Sequence, residues 1–167
     1  MVELYRCKGC GYLHVGPAPE SCPVCGAPRS LFAQHEKPQD LSGTRTLANL
    51  QAAFAGESQA NRRYTLFSRI AGLEGDMEAK AAFDLAAEEE TAHALGHLAY
   101  MSAYGDTAQN LTAAAEGEDY EFVSMYPEFA RVAEEEGFPE VAFYFRSVGN
   151  FERKHRDGYR KVQGQGD

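Results

Sequence analysis

Two Glu-x-x-His pairs are the residues of this sequence best suited to binding metal ions. Glu90 and His93 stand in AEEETAHALGH, and the same spacing recurs at Glu152 and His155 in NFERKHRDGY. Residues three apart lie on one face of an α-helix, so each pair can offer a carboxylate and an imidazole to the same ion. One such pair is usually a solvated ion pair. Two copies in one chain favour a metal site instead.

Three more glutamates, Glu57, Glu118 and Glu121, occupy positions of the apolar stripes of their predicted helices. Together with the two Glu-x-x-His pairs they would bring five carboxylates into the interior of one helical bundle. Five ionised carboxylates cannot be buried without compensating positive charge. Two metal ions with mixed oxygen and imidazole ligands supply that charge, which predicts a di-iron or di-manganese centre.

A second metal site is indicated by four cysteines in two Cys-x-x-Cys pairs, Cys7 with Cys10 and Cys22 with Cys25. This spacing allows two tight turns to present four thiolates to one ion, and such a small module depends on its metal to fold. A reducing compartment makes metal binding a better interpretation than disulfides. From the cysteines alone, iron and zinc are about equally suitable, because both accept four sulfur ligands.

The remaining sequence predicts four helices that position these ligands. They are expected over residues 44–71, 76–104, 107–136 and from 139 onward, with breaks at Gly105 and Gly137. Pro127 should kink the third helix or divide it into two short ones. A polar stretch separates the cysteines from the helices, so we predict a metal module over 1–36, a linker over 37–43 and a helical domain over 44–167.

Composition excludes several classes of partner. The formal net charge is -9, and no basic stripe is present, which argues against nucleic acid or an anionic membrane as a partner. No apolar run approaches the roughly 18 residues that a membrane-spanning helix needs. We therefore expect a cytoplasmic protein.

Several stretches resemble the rubrerythrin family. YRCKGCGY and CPVCGAP are similar to its shortened rubredoxin-like module, and AGESQANRRY, EETAH, EGEDYEFVSMYPEFARVAEEEGF and NFERKHRDGYRKV are similar to its helical domain. The resemblance implies a mainly α, ferritin-like four-helix bundle preceded by a rubredoxin-like four-cysteine module, an order similar to that of reverse rubrerythrins. It also implies iron in the four-cysteine site, with zinc as a substitute, and a non-haem di-iron centre in which manganese or zinc could replace iron. The implied ligands of the di-iron centre are Glu57, Glu90, His93, Glu118, Glu121, Glu152 and His155, with Tyr64 and Tyr126 close to the carboxylates.

What the family resemblance implies for function is a peroxidase that protects against oxidative stress. Electrons from an external NAD(P)H-dependent reductase would pass through the cysteine-bound iron to the di-iron centre, which reduces hydrogen peroxide to water. No glycine-rich dinucleotide motif is present, so the reductase must be a separate protein. The alternatives are a ferritin-like oxygen reductase or ferroxidase that handles iron, and a zinc-ribbon interaction protein with a purely structural bundle. The electron-transfer module argues against the former, and the buried carboxylates argue against the latter.

The connection between the second and third helices predicts a dimer. In a ferritin-like bundle these helices are parallel, so the chain must return along a helix about 40 Å long. Only Gly105 and Asp106 separate the two predicted helices, and they reach on the order of 10 Å. The bundle is therefore either a simple up-down-up-down one or a homodimer that exchanges helices, and the ligand pattern favours exchange.

Overall fold

A computed structural model of the chain describes residues 3–36 and 40–164. Lys37, Pro38 and Gln39 of the predicted linker lie outside the described residues. Cα geometry divides the chain into two compact units, 1–103 and 104–167. The first unit contains strands β1 (Leu4–Cys7), β2 (Leu13–Val15) and β3 (Phe32–Gln34), a short 3-10 helix (Arg29–Leu31), and helices α1 (Arg45–Glu74) and α2 (Met77–Tyr100). The second unit contains α3 (Thr107–Tyr120), a π-helical turn (Glu121–Met125), α4 (Tyr126–Glu135) and α5 (Pro139–Val162). The predicted mainly α class with a small N-terminal module is confirmed.

The N-terminal strands form a small antiparallel sheet in the order β2-β1-β3. Its central strand ends at Cys7, and the chain then enters a tight turn that Gly11 closes by donating its N–H to the Cys7 carbonyl at 2.9 Å. Gly26 makes the same 2.9 Å bond to Cys22 in the second turn. Both glycines have positive φ, 83° and 71°, which other residues rarely adopt. The two Cys-x-x-Cys pairs therefore occupy equivalent turns.

Helices α1 and α2 form a hairpin, and capping residues determine where each helix begins. Thr44 accepts a hydrogen bond from the backbone of α1, and Asp76 caps α2 as predicted. Helix α1 continues beyond the predicted end at residue 71 because Gly72 is accommodated inside it, and it ends only where Gly75 adopts a φ of 82°. Helix α2 ends at Tyr100, earlier than the predicted residue 104.

A π-helical turn lies directly before Pro127, where the sequence predicted a kink or a division into two helices. Between α3 and α4, the Tyr126 N–H donates to the carbonyl of Glu121, five residues earlier, in place of the usual partner four residues earlier. Proline has no N–H with which to continue the α-helical pattern, and the wider turn directly precedes it. Residues 107–135 are helical throughout, so the third helix is not divided into two separate helices, and the kink at Pro127 stays a prediction.

The core of each unit is formed by small side chains. Among the described residues, the buried apolar ones are cysteines and alanines, including Ala92, Ala99 and Ala142. Large apolar side chains remain outside: Leu73 is 90% exposed and Phe143 is 68% exposed. Alanine permits close helix packing, and the exposed leucine and phenylalanine side chains leave apolar surface on both units. Within the described residues, no helix combines the length and the apolarity required to cross a bilayer.

Asn61 holds α1 and α2 in register through a buried polar contact. Its side chain is 8% exposed, and its Nδ2 donates to the Ala87 carbonyl at 2.5 Å and to the Thr91 hydroxyl at 2.7 Å. Replacing it by Asn61→Ala removes both bonds and leaves a small void, so we expect a loss of about 1–3 kcal/mol in the free energy of unfolding. Urea denaturation followed by far-UV circular dichroism measures this loss.

The matched control for this prediction is Gln59→Ala, an exposed position on the same helix. It should change the free energy of unfolding by no more than about 0.5 kcal/mol. Equal stability of the Asn61→Ala and Gln59→Ala variants would show that the buried amide does not hold the hairpin.

Candidate metal centres

The four cysteine sulfurs converge at one point of the N-terminal module. The Sγ atoms of Cys7 and Cys25 lie 3.7 Å apart, as do those of Cys10 and Cys22, and all four are within 4.8 Å of one another. Four sulfurs at about 2.3 Å from a tetrahedral ion would be separated by about 3.8 Å, so the spacing fits a metal ion.

The surroundings of these sulfurs favour bound thiolates. The Gly9 N–H donates to the Cys7 sulfur at 3.3 Å, a bond that stabilises negative charge on it. Burial raises the pKa of the Cys10 thiol to about 12, so a cation is needed to keep this group deprotonated at neutral pH. The geometry and the electrostatics both match a metal site with four cysteine ligands.

Helices α1 and α2 bring Glu57, Glu90 and His93 together in what we call the first cluster. One ligand atom from each lies within 4.8 Å of the others, and His93 Nδ1 is 3.0 Å from Glu90 Oε2. A hydrogen bond with Glu90 raises the pKa of Glu57 and lowers that of Glu90. The two carboxylates thus influence each other's protonation, and a metal ion bound between them would relieve their repulsion.

The second unit brings Glu118 from α3 together with Glu152 and His155 from α5 in what we call the second cluster. His155 Nδ1 lies 2.8 Å from Glu152 Oε2 and 3.7 Å from Glu118 Oε2, so the Glu-x-x-His contact of the first cluster is repeated. Burial, together with the charge of Glu152, raises the pKa of Glu118. Each cluster therefore offers two carboxylates and one imidazole, a donor set that suits iron or manganese.

Glu121 stands apart from both clusters. It opens the π-helical turn, and its oxygens do not join the group formed by the second cluster. Its charge still acts nearby: burial raises the pKa of Tyr126, and Glu121 adds to this effect. Tyr126 therefore lies in the electrostatic environment of the carboxylates, whereas Tyr64 packs among aromatic rings, with its ring centre 6.2 Å from that of Phe83.

An ion pair next to the second cluster was not predicted from the sequence. Arg156 Nη1 donates to Asp119 Oδ1 at 2.6 Å and thereby joins α5 to α3. The Arg156 side chain is only 16% exposed, and its guanidinium lies over the ring of Phe122 at 5.4 Å. Each partner directly follows a cluster residue in sequence, Glu118 or His155, so the pair helps to align the two helices. Their position next to the Glu118 and His155 ligand candidates was the feature of the sequence from which this ion pair could have been predicted.

Comparisons with known proteins account for both parts of the chain. Residues 48–163 match the family described as Rubrerythrin, and residues 5–33 match the family described as Rubrerythrin, rubredoxin-like domain. The four-cysteine site falls in the second match, and both carboxylate–histidine clusters fall in the first.

Several curated proteins are similar over most of the chain. Rubrerythrin-1 of Clostridium acetobutylicum is 40% identical over 138 residues, which cover 72% of this chain and 71% of the relative. Rubrerythrin of Porphyromonas gingivalis is 38% identical over 143 residues, covering 78% of this chain and 72% of the relative. Reverse rubrerythrin-1 of Clostridium acetobutylicum is 34% identical over 106 residues, covering 56% of this chain and 59% of the relative.

Proposed function

Because the chain belongs to the rubrerythrin family, we propose that it is a non-haem di-iron peroxidase that reduces hydrogen peroxide to water in oxidative stress defence. The observation that carries the proposal is the pairing of two equivalent carboxylate–histidine clusters with a four-cysteine electron-transfer module in one chain. Electrons would come from a separate NAD(P)H-dependent reductase. The cytoplasmic location stays a prediction.

The cofactors are those of the family: iron in the rubredoxin-like four-cysteine site and a di-iron centre held by the glutamates and histidines. When bound, the iron pair supplies the two electrons that cleave the O–O bond of hydrogen peroxide. We propose that Glu57, Glu90, His93, Glu118, Glu152 and His155 hold this pair, with Glu121 as a seventh ligand.

The residues around the clusters support the chemistry in distinct ways. The carboxylates balance the charge of the metal ions inside the helical domain. Tyr126, like any tyrosine, carries its proton at neutral pH, and burial raises its pKa further, so its hydroxyl can donate a hydrogen bond to a carboxylate or to a substrate oxygen. By the family resemblance, an exchange between Glu121 and His93 would accompany a change in the oxidation state of the bound iron.

We further propose a homodimer in which each di-iron site combines the first cluster of one protomer with the second cluster of its partner. The connection from α2 to α3 comprises residues 101–106, more than the two predicted. Fully extended it spans about 20–25 Å, which is shorter than the roughly 36 Å of a 24-residue helix such as α2. It is also folded, since Asn110 forms hydrogen bonds with the backbone of Gly105 in both directions.

The composition of the surfaces supports this assembly. Exposed apolar side chains of both units, such as Leu73 and Phe143, would be covered when two copies associate. Each cluster provides only three ligands by itself, fewer than two metal ions require. A simple up-down-up-down arrangement within one chain remains the competing hypothesis.

The order of the modules supports assignment to the reverse type, because the rubredoxin-like match precedes the helical one. We propose the predicted boundaries for this organisation: a metal module over 1–36, a linker over 37–43 and a ferritin-like domain over 44–167. The second candidate function, an oxygen reductase or ferroxidase, draws support from the carboxylate-rich clusters alone. The four-cysteine module favours the peroxidase, because ferroxidation requires no incoming electrons.

Rapid mixing tests the proposed activity. The protein is reduced anaerobically and mixed in parallel with hydrogen peroxide and with oxygen, and oxidation is followed by visible absorbance. We expect oxidation to be at least about 100-fold faster with peroxide, because two ferrous ions supply the two electrons that reduce peroxide fully to water, whereas oxygen requires four. Faster oxidation by oxygen would favour the second candidate, and slow oxidation by both would contradict the proposal.

A further inference from the structure

The four-cysteine module contacts helix α2 of its own chain at a point where both backbones carry glycine. A Cβ atom added to Gly96 would lie 3.3 Å from the carbonyl oxygen of Gly11, tighter than most real contacts. Gly96 is buried in the last two turns of α2. An alanine at this position would require the two backbones to move apart by a few tenths of an ångström, and a larger side chain would require more, so glycine favours the close approach.

Two other residues of the module, Arg6 and His35, contact the same end of α2. His35 Nε2 lies 3.3 Å from the carbonyl oxygen of Ala99, and the His35 ring meets Tyr100 edge to face at 5.6 Å. The guanidinium of Arg6 also lies over the Tyr100 ring, 5.4 Å from its centre. The module is therefore docked by polar and aromatic contacts, and the glycine contact is part of a built interface.

Both glycines of this interface lie close in sequence to a candidate metal ligand. Gly11 is covalently bonded to Cys10, which provides one of the four sulfurs. Gly96 lies three residues after His93, less than one helical turn from the first cluster. A short sequence of bonds and one backbone contact thus connects the four-cysteine site to the cluster within one protomer.

We propose that the Gly11–Gly96 contact is the point at which electrons pass from the four-cysteine module to the first cluster of the same chain, with Gly96 as the positioning residue. This inference rests on the proposed function. In each transfer one electron would leave the cysteine-bound iron, which would change from ferrous to ferric, and one ferric ion of the carboxylate-bound pair would become ferrous. The external reductase then reduces the four-cysteine site again. Two transfers restore the two electrons that, with two protons, convert one peroxide into two water molecules.

The test uses Gly96→Val, with Gly96→Ala as a milder substitution. Gly158→Ala is the matched control, because it replaces a helical glycine with nothing within 4 Å of the added Cβ. The iron-loaded protein is reduced with dithionite, freed of excess reductant and mixed with peroxide. In Gly96→Val we expect reoxidation of the cysteine-bound iron to slow by about tenfold or more. Oxidation of the di-iron site and the spectrum of the four-cysteine site should be unchanged, and Gly96→Ala should show a smaller effect.

Amide hydrogen exchange gives a second readout that does not depend on activity. Residues 9–13 and 94–101 should exchange faster in Gly96→Val than in the wild type or in Gly158→Ala, because the module no longer docks. Two results would overturn the proposal. The first is reoxidation of the cysteine-bound iron at the wild-type rate in a Gly96→Val protein whose module has undocked. The second is unchanged amide exchange in both segments. If peroxide does not oxidise the wild-type di-iron site, the proposed function fails instead, and the exchange result still reports on the docking.

Discussion

A mixed dimer of one Glu90→Gln chain and one Glu152→Gln chain is expected to recover about half of the wild-type peroxidase activity. The Glu90→Gln homodimer and the Glu152→Gln homodimer should each lose activity at least about 100-fold. Removing a residue that hydrogen-bonds to a metal ligand already costs up to about 100-fold, and removing the ligand itself should cost at least as much. In the helix-exchanged dimer, one site of the mixed species contains both substitutions and the other contains neither. Co-expression with two affinity tags isolates the mixed species for assays of activity and iron content.

The matched control is a mixed dimer of Glu90→Gln and Glu57→Gln chains. Both substitutions fall in the first cluster, which α1 and α2 form together. Each site then contains one substituted residue whether or not the helices are exchanged, so this species should stay inactive. A Glu90→Gln and Glu152→Gln mixture that is equally inactive would place each complete site within one chain.

Cys22→Ser is expected to abolish electron delivery while sparing the chemistry at the di-iron site. The Cys22 side chain is 3% exposed, and a serine hydroxyl there is a poor replacement for a thiolate ligand. Structural metal sites of this kind contribute on the order of 10 kcal/mol to folding, and the three strands of the module are too short to compensate. NAD(P)H-linked turnover should fall at least about 100-fold. Peroxide should still oxidise the dithionite-reduced di-iron site at the wild-type rate.

Ser21→Ala serves as the control for this variant, because residue 21 is exposed and provides no sulfur. It should retain the visible spectrum of the cysteine-bound iron and full turnover with an NAD(P)H-dependent reductase. Far-UV circular dichroism should show intact helices in both variants. Full NAD(P)H-linked turnover by Cys22→Ser would mean that electrons reach the di-iron site without the module.

Much of the local structure could be predicted from individual residues. Asp76 and Pro139 mark helix starts, and Gly137 marks a helix end, because their side chains or their allowed φ values act within one turn of the chain. The π-helical turn before Pro127 could not be predicted in the same way. A missing N–H shows that the α-helical pattern must change at Pro127, but it does not specify a π-helical turn, which depends on the packing around the helix.

By itself, the sequence determined which groups can bind metal and how those groups are spaced along helices and turns. The two Glu-x-x-His pairs and the two Cys-x-x-Cys pairs are local patterns, so residue type and periodicity were enough to identify them. Only the tertiary structure decided which groups meet. It gathered three ligands in each cluster and left Glu121 outside both. It also paired Arg156 with Asp119 and docked the four-cysteine module on α2 through Gly96. These are contacts between residues distant in sequence, and they depend on packing that no local pattern records.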